Sequence, residues 1–253
     1  MGSLNRVWPL PGRWMLAAGL AGFGLINLVF AAPLDGLDPV LPGSDTVWMA
    51  RMTGSAWLAA AVLISIPRLL YAGQVVGFFL CIFLPFLHGM MFYLSRTWPS
   101  VVGWVSIFEL LGIFAGLVAL HPRTRESARA APVVVGAMLI LFGFVHWMYV
   151  GAISGMIPEW IPGRAVWPWV TGAANVLAGL AIASGVFARL ASALVGTMFA
   201  SWIFLVHLPR LLTTPGDKAE WVGLALACAL TGVVWTLHRA LAHSGEDLQP
   251  SAR

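Results

Sequence analysis

Four ionisable side chains, His88, Glu109, His146 and His207, stand inside long apolar runs of a 253-residue chain. An ionisable group in hydrocarbon costs about 2.5–3.5 kcal/mol on insertion scales, so each of the four needs a partner or a use. Imidazole donates a hydrogen bond to a carbonyl or handles protons, which makes His146 and His207 candidates for chemistry. A second group of candidates follows in sequence. Pro158 and Pro162 of Met156-Ile-Pro-Glu-Trp-Ile-Pro-Gly163 fix φ and bar regular helix, so Glu159 and Trp160 are expected on a stiff turn that would serve as a lid. Trp167 and Trp169 open the next apolar run, and His207-Leu-Pro-Arg210 closes the one after it. The expected site is a pocket of mixed aromatic and polar character for a small amphipathic molecule. There His146, His207 and Glu159 would act on the ligand, while Trp160, Trp167, Arg210, His88 and Glu109 would bind it.

Each candidate also has a plainer use. Tryptophans at helix ends anchor a chain at the membrane interface. A lone intramembrane histidine can hydrogen-bond a neighbouring helix, and Arg210 at a helix end can meet the helix dipole or a lipid phosphate. Glu109 precedes Gly112-Ile-Phe-Ala-Gly116, a spacing that lets helices approach, so it either bonds across that contact in its neutral form or serves a proton path. Haem or copper on two histidines is disfavoured, because no carboxylate, Cys or further His stands at ligand spacing on the same helix, and no metal site is assigned. A retinal Schiff base is disfavoured too, since the only lysine, Lys218, is expected in a loop. There is no Walker loop, no GxGxxG after a strand, no HExxH and no GxSxG.

The elements that must position these residues are membrane helices. Hydrophobic residues make up 60% of the chain and charged ones 9%, with a mean hydropathy of +0.88, well away from soluble composition. Apolar stretches long enough to span lie at about 13–32, 47–66, 69–95, 99–120, 131–152, 166–186, 188–212 and 219–241, which makes an all-α membrane protein of about eight transmembrane helices. The net charge of +4 is spread in ones and twos between spans, which excludes a nucleic-acid surface. Lys and Arg number nine on the N-terminal side against five on the other, the bias that puts both termini in the cytoplasm. At 1.5 Å per residue, His88, His146 and His207 then share a level near the outer face. Arg6 and Arg13 before an apolar run resemble a secretory signal, but the segment is read as a retained first helix. Cys81 and Cys228, each alone in an apolar run, read as small buried hydrophobes.

Sliding one half over the other reveals a repeat. Phe23-Gly24-Leu-Ile-Asn27 matches Phe142-Gly143-Phe-Val-His146, Leu41-Pro42-Gly43 matches Ile161-Pro162-Gly163, Met52-Thr53-Gly54 matches Val170-Thr171-Gly172, and Phe86-Leu87-His88 matches Leu205-Val206-His207. The expected organisation is two tandem, parallel four-helix bundles. The first unit covers 1–120, a basic linker 121–130, the second unit 131–241 and a polar tail 242–253. A parallel repeat differs from the inverted one of many transporters.

The second half then resembles the DoxX-like family of four-helix membrane proteins over roughly residues 131–241. The resemblance is carried by Phe142-Gly-Phe-Val-His146, Ile157-Pro-Glu-Trp-Ile-Pro-Gly163, Trp167 with Thr171-Gly172, Leu177-Ala-Gly179, Arg189-Leu-Ala and Leu205-Val-His-Leu-Pro-Arg210. The first half keeps Pro42-Gly43, Thr53-Gly54 and His88 but has Asn27 in place of His146 and Gly89-Met90-Met91 in place of Leu-Pro-Arg. The resemblance implies a fold more than an activity, since relatives include subunits of quinone-linked sulfur oxidation, partners in redox-stress complexes, and chaperone or cargo-receptor proteins. Three functions stay open. The leading one is a bacterial inner-membrane protein whose second unit binds a quinone or isoprenoid-like molecule at the outer leaflet, with a partner protein supplying electrons if it is a redox subunit. The others are a non-catalytic scaffold or chaperone, and an intramembrane lyase, isomerase or cyclase on a terpenoid or sterol with Glu109 or Glu159 as the acid.

Overall fold

A computed structural model of the chain describes residues 11–34, 36–40, 43–95 and 101–246; Arg6, the Leu41-Pro42 part of the repeat, Arg96 and the tail from 247 lie outside them. Among the described residues the regular structure is helical throughout. The long helices are α1 (Pro11–Phe30), α2 (Thr46–Ser65), α3 (Leu70–Ser95), α4 (Val101–Leu120), α5 (Arg125–Met148), α7 (Trp167–Ser184), α8 (Ala188–Trp202) and α10 (Lys218–Glu246), with short α6 (Val150–Met156) and α9 (Leu208–Thr213) between them.

Local chemistry sets the ends. The Asp45 carboxylate accepts from the Trp48 N–H at 3.0 Å and caps α2. Thr124 and Ser127 cap α5 reciprocally, each side-chain oxygen accepting from the other's backbone N–H at 3.1 Å. The expected linker at 121–130 is therefore helix from Arg125 onward, and the expected polar tail continues α10 as far as Glu246. Gly185, at φ +80°, ends α7 in the left-handed conformation that glycine adopts freely, and the chain turns straight into α8. Arg13, counted among the basic residues of the N-terminal side, is buried; its Nε donates to the Ile64 carbonyl at 2.6 Å and its Nη2 to that of Ser65, so α1 supplies the cap for the end of α2.

Seven helical segments among the described residues are long and apolar enough to cross a membrane. The sequence reading counts eight; the remaining one, α7, is 18 residues long, and its Trp-Pro-Trp start, Thr171 and Asn175 lower its hydropathy below the others.

The helices form a closed circuit in the order α1, α2, α3, α4, α5, α7, α8, α10 and back to α1, with α4 and α10 packed across the middle. Two separate bundles are not what is seen. The first helix of each half packs on the last helix of the other, α1 on α10 and α5 on α4, while α1 has no substantial contact with α4 and α5 little with α10. Close approach decides this arrangement. A Cβ on Gly19 would fall 2.5 Å from the Ala229 backbone nitrogen, and one on Gly232 would fall 2.2 Å from that of Leu16, so the α1–α10 seam runs backbone against backbone.

Residues aligned by the repeat occupy matching places. A Cβ on Gly24 would meet the Gly54 carbonyl at 2.7 Å and the Leu58 nitrogen at 2.9 Å. One on Gly143 would meet the Gly172 carbonyl at 2.6 Å and the Val176 nitrogen at 3.2 Å. The first two helices of each half therefore cross in the same register.

Candidate functional site

A cavity of about 320 Å³ opens inside the second half, walled by α5, α6, α7, α8 and α10. Its wall is mainly apolar and aromatic, with Phe142, Phe199, Trp167 and Trp202 among the lining residues; the two indoles meet edge to face at 5.6 Å. Four polar side chains join them, His146, His207, Thr171 and Asn175.

His146 and Thr171 are each held by a bond to their own helix. His146 Nδ1 lies 2.7 Å from the Phe142 carbonyl one turn earlier, and a carbonyl only accepts, so Nδ1 carries a proton; in its neutral form the ring then keeps an acceptor at Nε2. Thr171 donates its hydroxyl to the Trp167 carbonyl at 2.7 Å, which leaves its oxygen free to accept. Trp167 spends its N–H on the Pro162 carbonyl at 3.0 Å and thereby ties the proline turn to the mouth of the cavity. Asn175 is completely buried, and neither its amide nitrogen nor its amide oxygen has a hydrogen-bond partner among the described residues. An unpaired buried amide is costly, by about 1–3 kcal/mol for each orphaned group.

His207 stands on a widened turn. Pro209 has no N–H to give and its ring would collide with the carbonyl four residues back, so the helix opens into a π-turn over Ile203–His207, closed by the Leu208 N–H bonding to Ile203. Gly223 on α10 gives the ring its room, for a Cβ there would lie 3.2 Å from His207 Nδ1.

The other candidates fall elsewhere. Glu159 projects into solvent with its carboxylate 3.6 Å from Arg164, and Trp160 is exposed, so the expected lid residues stand outside the lining. Arg210 also lies off the lining; it makes a two-pronged pair with buried Glu220, its Nε donating at 2.8 Å and its Nη2 to the second oxygen. Neither residue of the pair belongs to the lining. Glu109 is buried on α4, away from that lining, with no hydrogen bond or ion pair among the described residues. His88 donates from Nδ1 to the Leu84 carbonyl at 3.1 Å, in the first half. Among the described residues no three His, Cys, Asp or Glu side chains gather as a metal site.

Asn175, Thr171, Trp202 and Glu220 were not among the sequence candidates. Asn175 carried a readable signal, an amide in the apolar run Gly172-Ala-Ala-Asn-Val-Leu177, where a search confined to ionisable groups passes over it.

In the first half a polar cluster stands at the equivalent place. Asn27, which replaces His146, donates to Asp38 at 2.8 Å and to Thr53 at 2.8 Å, while Asp38 accepts also from the Leu34 N–H at 3.0 Å. Burial holds the Asp38 carboxyl above the ordinary carboxylate range, and the hydrogen bonds and nearby His88 pull it back only in part. A carboxyl raised on folding favours the native state while protonated in both states and loses that advantage as pH rises past the unfolded value of 3.8 through the folded one. Stability in detergent micelles is therefore expected to decline over that window, and Asp38→Asn to flatten the decline; an unchanged pH slope in the variant would contradict it.

Comparison of the chain with family models, with curated protein sequences and with solved structures returned no match.

Proposed function

We propose that the second half binds a small lipophilic molecule bearing a carbonyl or hydroxyl group, quinone-like or isoprenoid-like, in the cavity between α5, α7, α8 and α10. The observation that carries this is Asn175, a fully buried amide with both of its polar atoms unpartnered, on the wall of a mostly apolar cavity of ligand size. Thr171 and His146 add acceptors, and His207 adds a titratable ring.

In this reading α7 is an eighth crossing. It runs antiparallel to α5 through two contacts, Gly143 with Gly172 and Gly136 with Gly179, and 18 residues rise about 27 Å. The protein would then sit in a bacterial inner membrane with both termini cytoplasmic and the cavity toward the outer leaflet, as the Lys and Arg bias suggests. The resemblance to DoxX-like proteins belongs to the same proposal. Should the function be redox, electrons would come from a partner protein, with the quinone-like ligand as their carrier.

The scaffold reading draws support from the Arg210–Glu220 and Glu159–Arg164 pairs, where polar groups are satisfied within the protein. The lyase or cyclase reading gains nothing from the geometry, because Glu159 and Glu109 stand off the cavity. Purification in mild detergent followed by organic extraction and mass spectrometry tests the proposal. The wild-type protein is expected to retain a defined lipophilic compound, and Asn175→Leu, folded by circular dichroism, to retain about tenfold less. Extracts containing only bulk membrane lipid, or equal retention by the variant, would leave the scaffold reading in possession.

A further inference from the structure

The wall of the second-half cavity has a counterpart in the first half, where a fully buried indole stands in place of Asn175. Thr53-Gly54 and Thr171-Gly172 occupy matching places in their helix pairs, with Leu58 and Val176 each lying against the opposing glycine. Position 57 therefore corresponds to position 175. In the first half it is Trp57, whose side chain has no exposed surface and whose indole meets Phe23 edge to face, with centroids 5.5 Å apart at 62°. Phe23 corresponds in turn to Phe142, which lines the cavity of the second half. Exchanging an indole for a carboxamide removes a flat two-ring body from the interior, leaves the phenyl ring that it packed on, and sets a donor and an acceptor at the base of the space.

We infer that the ligand of the second half is a flat, fused-ring or similarly broad aromatic or quinonoid molecule carrying an oxygen substituent. Its ring lies against Phe142 as Trp57 lies against Phe23, and its oxygen meets the Asn175 amide. This rests on the ligand-binding reading above and narrows it. A carbonyl oxygen takes a hydrogen bond from Asn175 Nδ2, and a hydroxyl gives one to Oδ1, so the amide accepts either form of the substituent. The indoles of Trp167 and Trp202 add planar walls, and aromatic rings prefer the offset and edge-on contacts that such walls offer. An open isoprenoid chain would satisfy neither the breadth of the space nor the paired donor and acceptor as well as a ring does.

Naphthol and its saturated, puckered analogue decahydronaphthol share a skeleton and a hydroxyl and differ in flatness. Titrating each into the purified full-length protein by calorimetry, against matched empty micelles, is expected to show naphthol binding about tenfold tighter. Asn175→Trp, which installs the side chain that the first half already accommodates, is expected to remove naphthol binding while keeping the helical circular dichroism. Trp57→Asn is expected to add a second naphthol per chain. Equal binding of the two alcohols, or undiminished naphthol binding by a folded Asn175→Trp, overturns the flat-ring inference. If the wild-type protein binds neither alcohol yet carries a co-purified lipophile lost in Asn175→Leu, this inference fails and the binding proposal stands. If it binds neither and carries none, both fail.

Discussion

Replacing Trp57 by Ala is expected to destabilise the protein by about 3 kcal/mol, the lower end of the range for truncating a buried Trp. The lower end is apt because the reference state in a membrane is a set of inserted helices, for which lipid is as apolar as the core, so the loss is mainly of packing. Trp57 is fully buried and edge-on to Phe23. The matched change in the second half, Asn175→Ala, is expected to cost less than about 1 kcal/mol, since it removes an amide that has no partner within the protein. SDS-driven unfolding followed by far-UV circular dichroism measures both. Equal losses at 57 and 175 would mean that the two halves are packed alike and that the difference between them has no energetic weight.

That contrast follows from how the two halves differ. At places that the repeat aligns, the halves differ in side chains that matter to one small volume: Asn27 against His146, Trp57 against Asn175. The first half places a buried indole and an Asn27–Asp38–Thr53 cluster there; the second has a cavity walled by aromatic rings and polar atoms.

The helices were legible in the sequence because a membrane-length apolar run bounded by Pro, Gly and charge has few alternatives to helix. The expected span at 69–95 is α3 at Leu70–Ser95, and that at 99–120 is α4 at Val101–Leu120. His146, His207 and Trp167 were legible as neighbours, since the cost of polar groups in hydrocarbon gathers them at one level. The places of Glu159 and Arg210 were not. Which acid a guanidinium takes depends on the turn between α9 and α10, and that turn brings Glu220 to Arg210 while the proline loop leaves Glu159 beside Arg164. Nor was the circuit of helices legible. A repeat suggests two units, but the partner of each terminal helix is chosen by which glycines permit backbone contact.

That choice rests most heavily on α10, which packs on α1, α4 and α8. Gly232→Ala is accordingly expected to be as damaging as the loss of Trp57. In an isolated helix Ala outperforms Gly by about 1 kcal/mol, so helix propensity alone predicts a gain. Here the added methyl would sit 2.2 Å from the Leu16 nitrogen and 2.5 Å from its Cα, atoms of a helix backbone that has no rotamer to change. The two helices must part along the whole seam held by Gly12, Gly19, Gly22 and Gly232, and overpacking of that kind costs about 3 kcal/mol. Gly89→Ala on α3 is the control, because its Cβ would meet nothing within 4 Å and only propensity acts there. SDS unfolding is expected to show Gly232→Ala well below the wild-type protein and Gly89→Ala at or slightly above it. Should the two alanines behave alike, the α1–α10 contact does not hold the halves together. Because α10 also supplies Gly223 and Leu226 to the cavity wall, Gly232→Ala is further expected to weaken ligand retention although it lies off that wall.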